Sequence, residues 1–353
     1  MKKDFIAVNI VPTGIGAEIG GYVGDATPVT NLLASVCDCL ITHPNVVNGV
    51  LLNCARENIL YVEGFLLDQL FLGNIGLRPV KSNKIGVILD KLPEKKSINL
   101  AINTIEAIRT NKGIKIIGYT FTKKPVDGTA VKTKTGSFIG KIKDVNIFLE
   151  PAKELIDKGA DAIAIATKIN ITKKDLDLYF KGKGANPYGG VEALISHTIG
   201  KIFNIQSAHA PILSSYESKQ MLNRGIADPR AGADAITDAY LGCVLQGLYK
   251  APKPIKIKEI EDDDITIDDI SALVVPASSL GGIPMLVAEK KNIPIIAVKE
   301  NKTKLKVTND KIKLKNVIIV DNYLEAAGIL VAMKEGLSLD TLRRPIRNIK
   351  RIR

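Results

Sequence analysis

The three histidines of this 353-residue chain, His43, His197 and His209, have side chains that suit proton transfer near neutral pH. His43 and His209 each follow an apolar run and precede proline or Ala-Pro, which is typical of a strand end at a crevice. Because imidazole titrates near neutral pH, we predict that His209 acts as a general acid or base. His197 lies off the apolar stripe of its helix and is interpreted as a surface residue.

A glycine-rich turn follows the first apolar run and indicates an anion-binding site. Residues 9–24 read NIVPTGIGAEIGGYVG, directly before a predicted helix. Free backbone N–H groups at such a turn, together with the helix dipole, bind phosphate or carboxylate. The third glycine falls one residue too late for the dinucleotide fingerprint G-x-G-x-x-G, so a plain NAD-binding fold is disfavoured. The predicted substrate-binding residues are Gly14, Gly16, Gly20 and Gly21, and a purely structural turn is the alternative.

A second turn of the same kind follows the apolar run SALVVPA. It contains Ser278, Ser279, Gly281 and Gly282 and precedes another predicted helix, so we expect it to bind the same substrate. Its hydroxyl groups would add hydrogen-bond donors to the backbone amides. Lys299 stands at the end of the next predicted strand and is a candidate catalytic residue, because the carboxyl ends of parallel strands form the ligand crevice. A solvated loop is the alternative.

Three further segments supply polar side chains to the predicted crevice. In GKGANPYGGVEA we predict that Asn186 binds substrate and that Glu192 moves protons, although Glu192 at a helix start also complements the helix dipole. Arg230 in GIADPRAGAD suits bidentate binding of a carboxylate, while Asp228 caps the next helix in the alternative interpretation. Thr135 lies in a segment rich in Lys, Thr and Gly that is predicted to close over an anion, with a plain surface hairpin as the alternative.

Metal binding is a further hypothesis for two of the histidines. If CDCLITH is extended, Cys37, Cys39 and His43 share one face of the strand. This spacing matches no standard zinc motif, which favours core cysteines. His43 and His209 are retained as candidate ligands of a divalent metal. The cofactor is therefore left open between a divalent metal and a nucleotide.

Strands and helices alternate along the chain and must position these residues. Apolar residues make up 46% of the sequence, aromatic residues only 5%, and tryptophan is absent, so the core consists mainly of Ile, Val, Leu and Ala. This composition suits parallel strands covered on both faces. We predict an α/β fold with a mostly parallel, doubly covered, Rossmann-like sheet in two lobes. The predicted division is a main lobe at 1–255, an acidic linker at 256–270, and a smaller C-terminal lobe with a basic tail at 271–353.

Charge and hydropathy restrict the location and the partners. No segment has eighteen uninterrupted apolar residues, and the four cysteines form no disulfide framework, so we expect a cytoplasmic protein without a membrane span. The formal net charge of +12 is concentrated in part in the tail RRPIRNIKRIR, residues 343–353. No RNA-binding signature with interleaved aromatic residues accompanies this tail, so a nucleic acid partner is not expected. A homo-oligomer is left open.

Two resemblances emerge from these motifs. The turn PTGIGAEI is similar to the Pro-x-Gly-Ile-Gly-Pro-Glu turn of isocitrate, isopropylmalate and 4-hydroxythreonine-phosphate dehydrogenases, with Ala17 in place of the proline. Over nearly the full length, the chain resembles an uncharacterised family, domain of unknown function 3326, known mainly from cyanobacteria and plastid-bearing plants. The segments that carry this resemblance are GIGAEIGGYVGDATPVTNLLA, THPNVVNG, YVEG, NPYGGVEA, LGGIP and IIAVKEN. The family resemblance implies one enzyme-like unit and supplies neither a reaction nor catalytic residues.

These observations predict an enzyme that binds a small phosphorylated or carboxylated metabolite in a crevice between two lobes. Dehydrogenase, lyase, isomerase and transferase reactions all stay open. One alternative is a non-catalytic sensor or scaffold that binds an anion or a nucleic acid. Another is a metal-dependent enzyme that uses His43 and His209.

Overall fold

Two parallel β-sheets and the helices around them dominate the structure, a computed structural model that describes residues 5–22, 24–44, 46–47, 56–92, 94–213, 225–226, 228–236, 240–349 and 351. The strands of these residues are β1 (Ile6–Asn9), β2 (Cys39–Thr42), β3 (Ile59–Tyr61), β4 (Ile75–Arg78), β5 (Ile85–Leu89), β6 (Ile116–Phe121), β7 (Gly128–Lys132), β8 (Phe138–Lys141), β9 (Ala162–Thr167), β10 (Ile169–Asn170), β11 (Gln206–Pro211), β12 (Lys253–Lys256), β13 (Ile270–Pro276), β14 (Ile295–Val298) and β15 (Val317–Val320). Their α-helices are α1 (Thr27–Ala34), α2 (Gly64–Phe71), α3 (Lys95–Lys112), α4 (Leu149–Asp157), α5 (Lys173–Phe180), α6 (Gly189–Phe203), α7 (Pro229–Ile236), α8 (Leu241–Tyr249), α9 (Ile283–Lys290), α10 (Asn309–Ile312), α11 (Tyr323–Lys334) and α12 (Leu339–Leu342). The predicted mostly parallel α/β fold is confirmed.

The larger sheet has six parallel strands in the order β15-β14-β13-β1-β2-β3. The chain runs outward from β1 to β3 on one side and from β13 to β15 on the other, so the strand order reverses between β1 and β13. These two strands pair directly, with Ala7 opposite Ala272 and Asn9 opposite Val274. In open α/β sheets the ligand crevice lies outside the carboxyl ends of the strands at such a reversal. A ligand-binding site is therefore expected beside the loops that follow β1 and β13.

The second sheet has four parallel strands in the order β11-β9-β5-β6. Its central strand β9 pairs with β11 on one side and with β5 on the other. Side chains of β5 and β9 are buried along the whole strand, as expected for parallel strands covered on both faces. The edge strand β6 differs, because Tyr119 and Phe121 are exposed there. The hairpin β7–β8 joins β10 in a small third sheet, and β4 pairs with β12.

The segments predicted as separate lobes meet in the larger sheet. Strands β13 to β15 come from the predicted C-terminal lobe and pair with strands of the predicted main lobe. The predicted linker, residues 256–270, packs on β4 through a bridge between Leu77 and Ile265 and a 2.7 Å ion pair between Arg78 and Asp264. The division into lobes stays a prediction; the pairing between these distant strands had no local sequence signal.

Both faces of the larger sheet are covered by helices. Along β1, successive side chains point to opposite faces. Ile6 and Val8 pack in a core with residues of α2 and α9, whereas Ala7 packs in a core with residues of α1 and α11. Burying one large aliphatic side chain stabilises the fold by about 1.5–3 kcal/mol. This packing holds the carboxyl ends of β1 and β13 in fixed positions.

Candidate functional site

A cavity of about 330 Å³ opens at the reversal point of the larger sheet. Its wall combines residues that follow β1, β2, β3 and β13 with residues of α6 and β11, so both sheets contribute. The volume lies near the lower end of the range of small-molecule sites, about 300–1,000 Å³. The titratable side chains of the wall are His43, Glu63, Asp68, Glu192, His197 and His209.

All three histidines of the sequence contribute to this one cavity. His43 and His209 were predicted there, but His197 was interpreted as a surface residue. Its side chain is 47% exposed, and its Nε2 lies 3.3 Å from Oε1 of Glu63. The sequence signal for His197 was a polar stripe on an otherwise apolar helix, since Glu192, Ser196 and His197 all face the cavity from α6.

His43 is fixed by the backbone on both sides of its ring. The amide of Val11 donates to Nε2 at 3.2 Å, and Nδ1 lies 2.8 Å from the carbonyl oxygen of Pro44. A carbonyl only accepts, so Nδ1 carries the proton and Nε2 uses its lone pair on Val11. Burial lowers the pKa of His43 to about 4, which keeps the ring neutral. His43 thus connects the end of β1 to the end of β2, with both ring nitrogens bonded to the backbone.

Glu192 and His209, predicted from separate segments, lie side by side. Oε1 of Glu192 is 3.6 Å from Nδ1 of His209, and Nε2 of His209 is 2.8 Å from the hydroxyl of Thr167. The His209 side chain is fully buried, whereas the Glu192 side chain is 7% exposed. Within the described part of the chain, Oε2 of Glu192 and Nδ1 of His209 have no hydrogen-bond partner. Most buried polar atoms in proteins have one, so this pair is an exception that calls for an explanation.

Glu63 is a buried carboxyl group that the sequence interpretation did not select. It precedes α2 and accepts hydrogen bonds from the amides of Phe65 and Leu66 at 2.8 and 3.1 Å. The hydroxyl of Ser196 donates to it at 3.2 Å. Burial raises the pKa of Glu63 to about 7 and that of Asp68, on the same helix, to about 6. The only local signal for Glu63 was an acidic residue between a strand and a helix start.

The turn after β13 presents backbone amides to the cavity. Gly281, Gly282 and Ile283 line it, and α9 begins there without a side-chain cap. Gly282 has φ +115°, a conformation that favours glycine. In the described residues, the amides of these three residues have no acceptor. They form the helix N-terminus that the sequence predicted as an anion site.

The hydroxyl groups of the two serines of this turn form hydrogen bonds within the protein. The Ser278 hydroxyl lies 2.9 Å from the hydroxyl of Thr303 and accepts from the Thr303 amide at 3.2 Å. The Ser279 hydroxyl donates to the carbonyl of Pro276 at 3.2 Å. Their predicted role in substrate binding stays a prediction that this geometry does not favour.

The turn after β1 is a closed turn, in which three successive backbone amides donate hydrogen bonds to acceptors within the protein. The amide of Glu18 donates to the carbonyl of Lys302 at 2.9 Å, and the amide of Ile19 donates to Oδ1 of Asn301 at 3.0 Å. The amide of Gly20 donates to Oδ1 of Asp25 at 2.8 Å. Among the predicted glycines Gly14, Gly16, Gly20 and Gly21, only Gly20 has its amide bonded in this way within the described residues, and none of the four lines the cavity. Their anion-binding role stays a prediction.

Four other predicted site residues lie outside the cavity wall. Arg230 pairs with Asp228 at 3.1 Å and Glu18 at 3.0 Å, and its guanidinium stacks over the ring of Tyr22. Lys299 is exposed and pairs with Asp321 at 2.7 Å. Thr135 bonds to the hydroxyls of Thr133 and Ser137 in the turn of the β7–β8 hairpin, and Asn186 accepts from the amide of Tyr188 at 2.8 Å.

Asn186 nevertheless lies close to the Glu192–His209 pair. It lines a smaller cavity of about 30 Å³ whose wall also includes Glu192 and His209. The pair thus separates the two cavities. No group of three or more His, Cys, Asp or Glu side chains that could hold a metal ion occurs among the residues that the structure describes. The metal-ligand role of His43 with His209 stays a prediction.

Comparison with known proteins identifies the family. The family described as protein of unknown function (DUF3326) matches residues 6–343, so the chain belongs to it. An uncharacterized lipoprotein from a Synechococcus strain is 35% identical over 339 residues, which cover 96% of this chain and 93% of that protein. An ABC transporter solute-binding protein from Conexibacter woesei is 14% identical, with a TM-score of 0.16 over 45% of this chain and 62% of that one, and this likeness carries no argument.

The relative corrects one prediction. It is named a lipoprotein, which contradicts the cytoplasmic localisation expected from the cysteine content and hydropathy of the sequence. A lipoprotein can be held at a membrane by its lipid rather than by a spanning segment, so hydropathy alone is a poor guide to location. In the described ranges of this chain, no helix has the length and apolar character needed to cross a membrane.

Proposed function

We propose that this DUF3326 protein is an enzyme that binds a small metabolite through a carboxylate or phosphate group and moves a proton with Glu192. The observation that supports the proposal most strongly is the Glu192–His209 pair. Both residues border the cavity at the reversal of strand order, and each has a buried polar atom without a partner in the described structure. A buried polar atom without a partner is uncommon in native proteins, and a catalytic role is one of the recognised explanations for it.

The energetic cost of the pair supports a functional role. A buried polar group without a hydrogen bond costs about 1–3 kcal/mol. Replacing Glu192 and His209 with apolar residues would remove this cost, so a purely structural role gives no reason for the arrangement. A bound ligand that supplies a donor to Glu192 would satisfy the site. We therefore assign the unpartnered atoms to substrate binding and proton transfer.

The two residues have different roles in the proposal. Glu192 lines the cavity and is the catalytic residue of the proposal, with its carboxyl group as the proton carrier. His209 is fully buried behind it, held by Thr167 at 2.8 Å, and acts as a positioning residue for Glu192. Proton transfer by a positioned side chain contributes a rate factor of about 10²–10⁴. The sequence had predicted His209 itself as catalytic, and its burial favours the indirect role.

The anionic part of the substrate is assigned to the start of α9. The amides of Gly281, Gly282 and Ile283 border the cavity and have no acceptor in the described residues. A helix N-terminus stabilises an anion by about 0.3–1 kcal/mol, and by up to about 2 kcal/mol when partly buried. Because Gly281 and Gly282 carry no side chain, a carboxylate or phosphate can approach these amides closely.

The proposal is tested by untargeted mass spectrometry of a bacterial metabolite extract incubated in D₂O with the protein. We expect the wild type to convert or deuterate at least one metabolite and the Glu192→Gln variant to be at least 100-fold slower. The matched control is Glu150→Gln, since Glu150 is exposed and pairs only with Lys123 at the surface. A metabolite that binds without any change in mass would favour the non-catalytic sensor. Equal conversion by wild type and Glu192→Gln would refute the catalytic role.

A further inference from the structure

Two carboxyl groups of the cavity, those of Asp68 and Glu192, have no Lys or Arg partner in the part of the chain that the structure describes. Of its three acidic side chains, Glu63 is satisfied by two amides and the Ser196 hydroxyl. Asp68 is half-buried and makes no ion pair or side-chain hydrogen bond within the described part of the chain. Glu192 faces only His209, at 3.6 Å. No Lys or Arg occurs among the described residues of the wall.

This set of charges conflicts with a substrate that is only anionic. Two like charges 4 Å apart repel by about 4 kcal/mol at the effective dielectric constant of a protein surface. The α9 amides offset only part of such a repulsion, since a helix N-terminus contributes at most about 2 kcal/mol. A ligand with a positive group near Asp68 removes the repulsion and gives the carboxylate a partner.

We infer that the ligand is a zwitterion, with an ammonium group beside Asp68 and Glu192 and a carboxylate or phosphate group at the N-terminus of α9. This inference rests on the proposed function and specifies its substrate class. Two independent observations point to such a ligand: the amides of the α9 start, which have no acceptor in the described residues, and Glu192. Glu192 belongs to the cavity wall, is 5% exposed over the whole residue, and has one buried carboxylate oxygen without a partner in those residues. The ammonium group supplies the hydrogen-bond donors that Asp68 and Glu192 lack.

Three probes of equal chain length test the inference on the full-length protein: 4-aminobutanoate, butanoate and butylamine. Binding is measured by isothermal titration calorimetry and by the shift in Tm. We expect 4-aminobutanoate to bind at least tenfold more tightly than either of the other two. The Asp68→Asn variant should lose this preference, whereas Asp157→Asn, which changes an exposed carboxylate on α4 paired with Lys153, should keep it.

The outcomes separate the inference from the proposed function. Butanoate that binds as tightly as 4-aminobutanoate overturns the zwitterion and leaves the anion site at α9 in place. Butylamine that binds as tightly as 4-aminobutanoate overturns the anion site and, with it, the proposed function. If none of the three binds, both fail. If Asp68→Asn does not fold, the ranking of the three probes on the wild type still decides the question.

Discussion

The turn after β1 and the turn after β13 have similar sequences and opposite environments. Both are rich in glycine, and each leads from a central strand of the larger sheet toward a helix. In the first turn, the amides of Glu18, Ile19 and Gly20 bond to acceptors of the protein. In the second, Gly281 and Gly282 line a cavity, and their amides have no acceptor within the described residues. The two turns thus differ in whether their glycines line the cavity, and glycine content alone does not reveal this difference.

The difference comes from distant parts of the chain. The acceptors for Glu18 and Ile19 lie in residues 301–302, almost three hundred positions further on. They lie in the loop after β14, a strand that only β13 separates from β1 in the sheet. Only Asp25 is local. The first turn therefore has a structural role, since its hydrogen bonds hold the loops after β1 and β14 together.

The largest effect is expected from Gly21→Ala in the closed turn. A Cβ atom at this position would lie 2.0 Å from the carbonyl oxygen of Ala17, which is part of the rigid backbone. We expect the free energy of unfolding to fall by at least about 3 kcal/mol, measured by urea denaturation. Gly328→Ala is the matched control, because Gly328 is exposed on α11, has no positive φ, and would place a Cβ in open space. A change below about 1 kcal/mol at Gly21 would show that the turn is not closely packed.

A pH-dependent effect is expected from Asp25, the local acceptor of the closed turn. Burial raises the pKa of Asp25 from its ordinary value of 3.8 to about 7. The folded state therefore holds this proton more tightly than the unfolded state, and the resulting stability is lost as the pH rises from about 4 to 7. Relative to Asp25→Asn, the wild type should lose about 2 kcal/mol across this range, given that one pKa unit corresponds to 1.36 kcal/mol and that the side chain is partly exposed.

This comparison is made by urea denaturation at several pH values. The Asp25→Asn variant keeps the oxygen that accepts from the amides of Gly20 and Tyr22, so only the titration is removed. Parallel pH profiles of the two proteins would contradict a raised pKa at Asp25.

Gly281→Ala, in the turn after β13, is expected to change stability less than binding. A Cβ atom at Gly281 would lie 3.2 Å from a methyl group of Val307, a contact that a small shift relieves. Gly281→Ala should alter the free energy of unfolding by less than about 1 kcal/mol but weaken binding of 4-aminobutanoate about tenfold, equivalent to 1.4 kcal/mol. Calorimetry and urea denaturation measure the two effects. A variant that binds normally would show that the anion does not approach this amide.

The smallest effect is expected from Arg230, which was predicted to bind substrate. Its guanidinium holds Glu18 and Asp228 and lies 4.8 Å from the Tyr22 ring centre, all outside the cavity. Arg230→Gln should reduce stability by about 1 kcal/mol, typical of a partly exposed ion pair, and leave binding unchanged. A tenfold loss of affinity for 4-aminobutanoate without loss of stability would indicate that Arg230 does contact the ligand.

Local sequence signals predicted the elements better than their arrangement. In the sequence, Thr172 stands directly before the helical run KKDLDLYF, a typical N-cap position, and its hydroxyl accepts from the amide of Asp175 at 3.2 Å. Ser97 likewise stands before an apolar helical run in the sequence, but it lies inside α3 and its hydroxyl donates to the carbonyl of Leu213. Helix caps depend on neighbours within four residues, whereas the bond of Ser97 depends on a residue more than a hundred positions away.

The candidate site shows the same limit. His209 and Glu192 were each predicted from strand-end and helix-start patterns, and their proximity depends on the contact between α6 and β11. Glu63 was missed because its burial comes from Ser196 and Gln206 of other elements. Lys299 fits the strand-end pattern equally well, yet its strand lies two positions from the reversal point and its side chain is exposed.

The central claim is that an anionic group binds at the start of α9 and not at the turn after β1. The most direct measurement follows backbone amide chemical shifts by NMR during a titration with 4-aminobutanoate. We predict saturable shifts of the Gly281 and Gly282 amides and unchanged signals for Glu18, Ile19 and Gly20. Saturable shifts of the latter three, with Gly281 and Gly282 unaffected, would contradict the account.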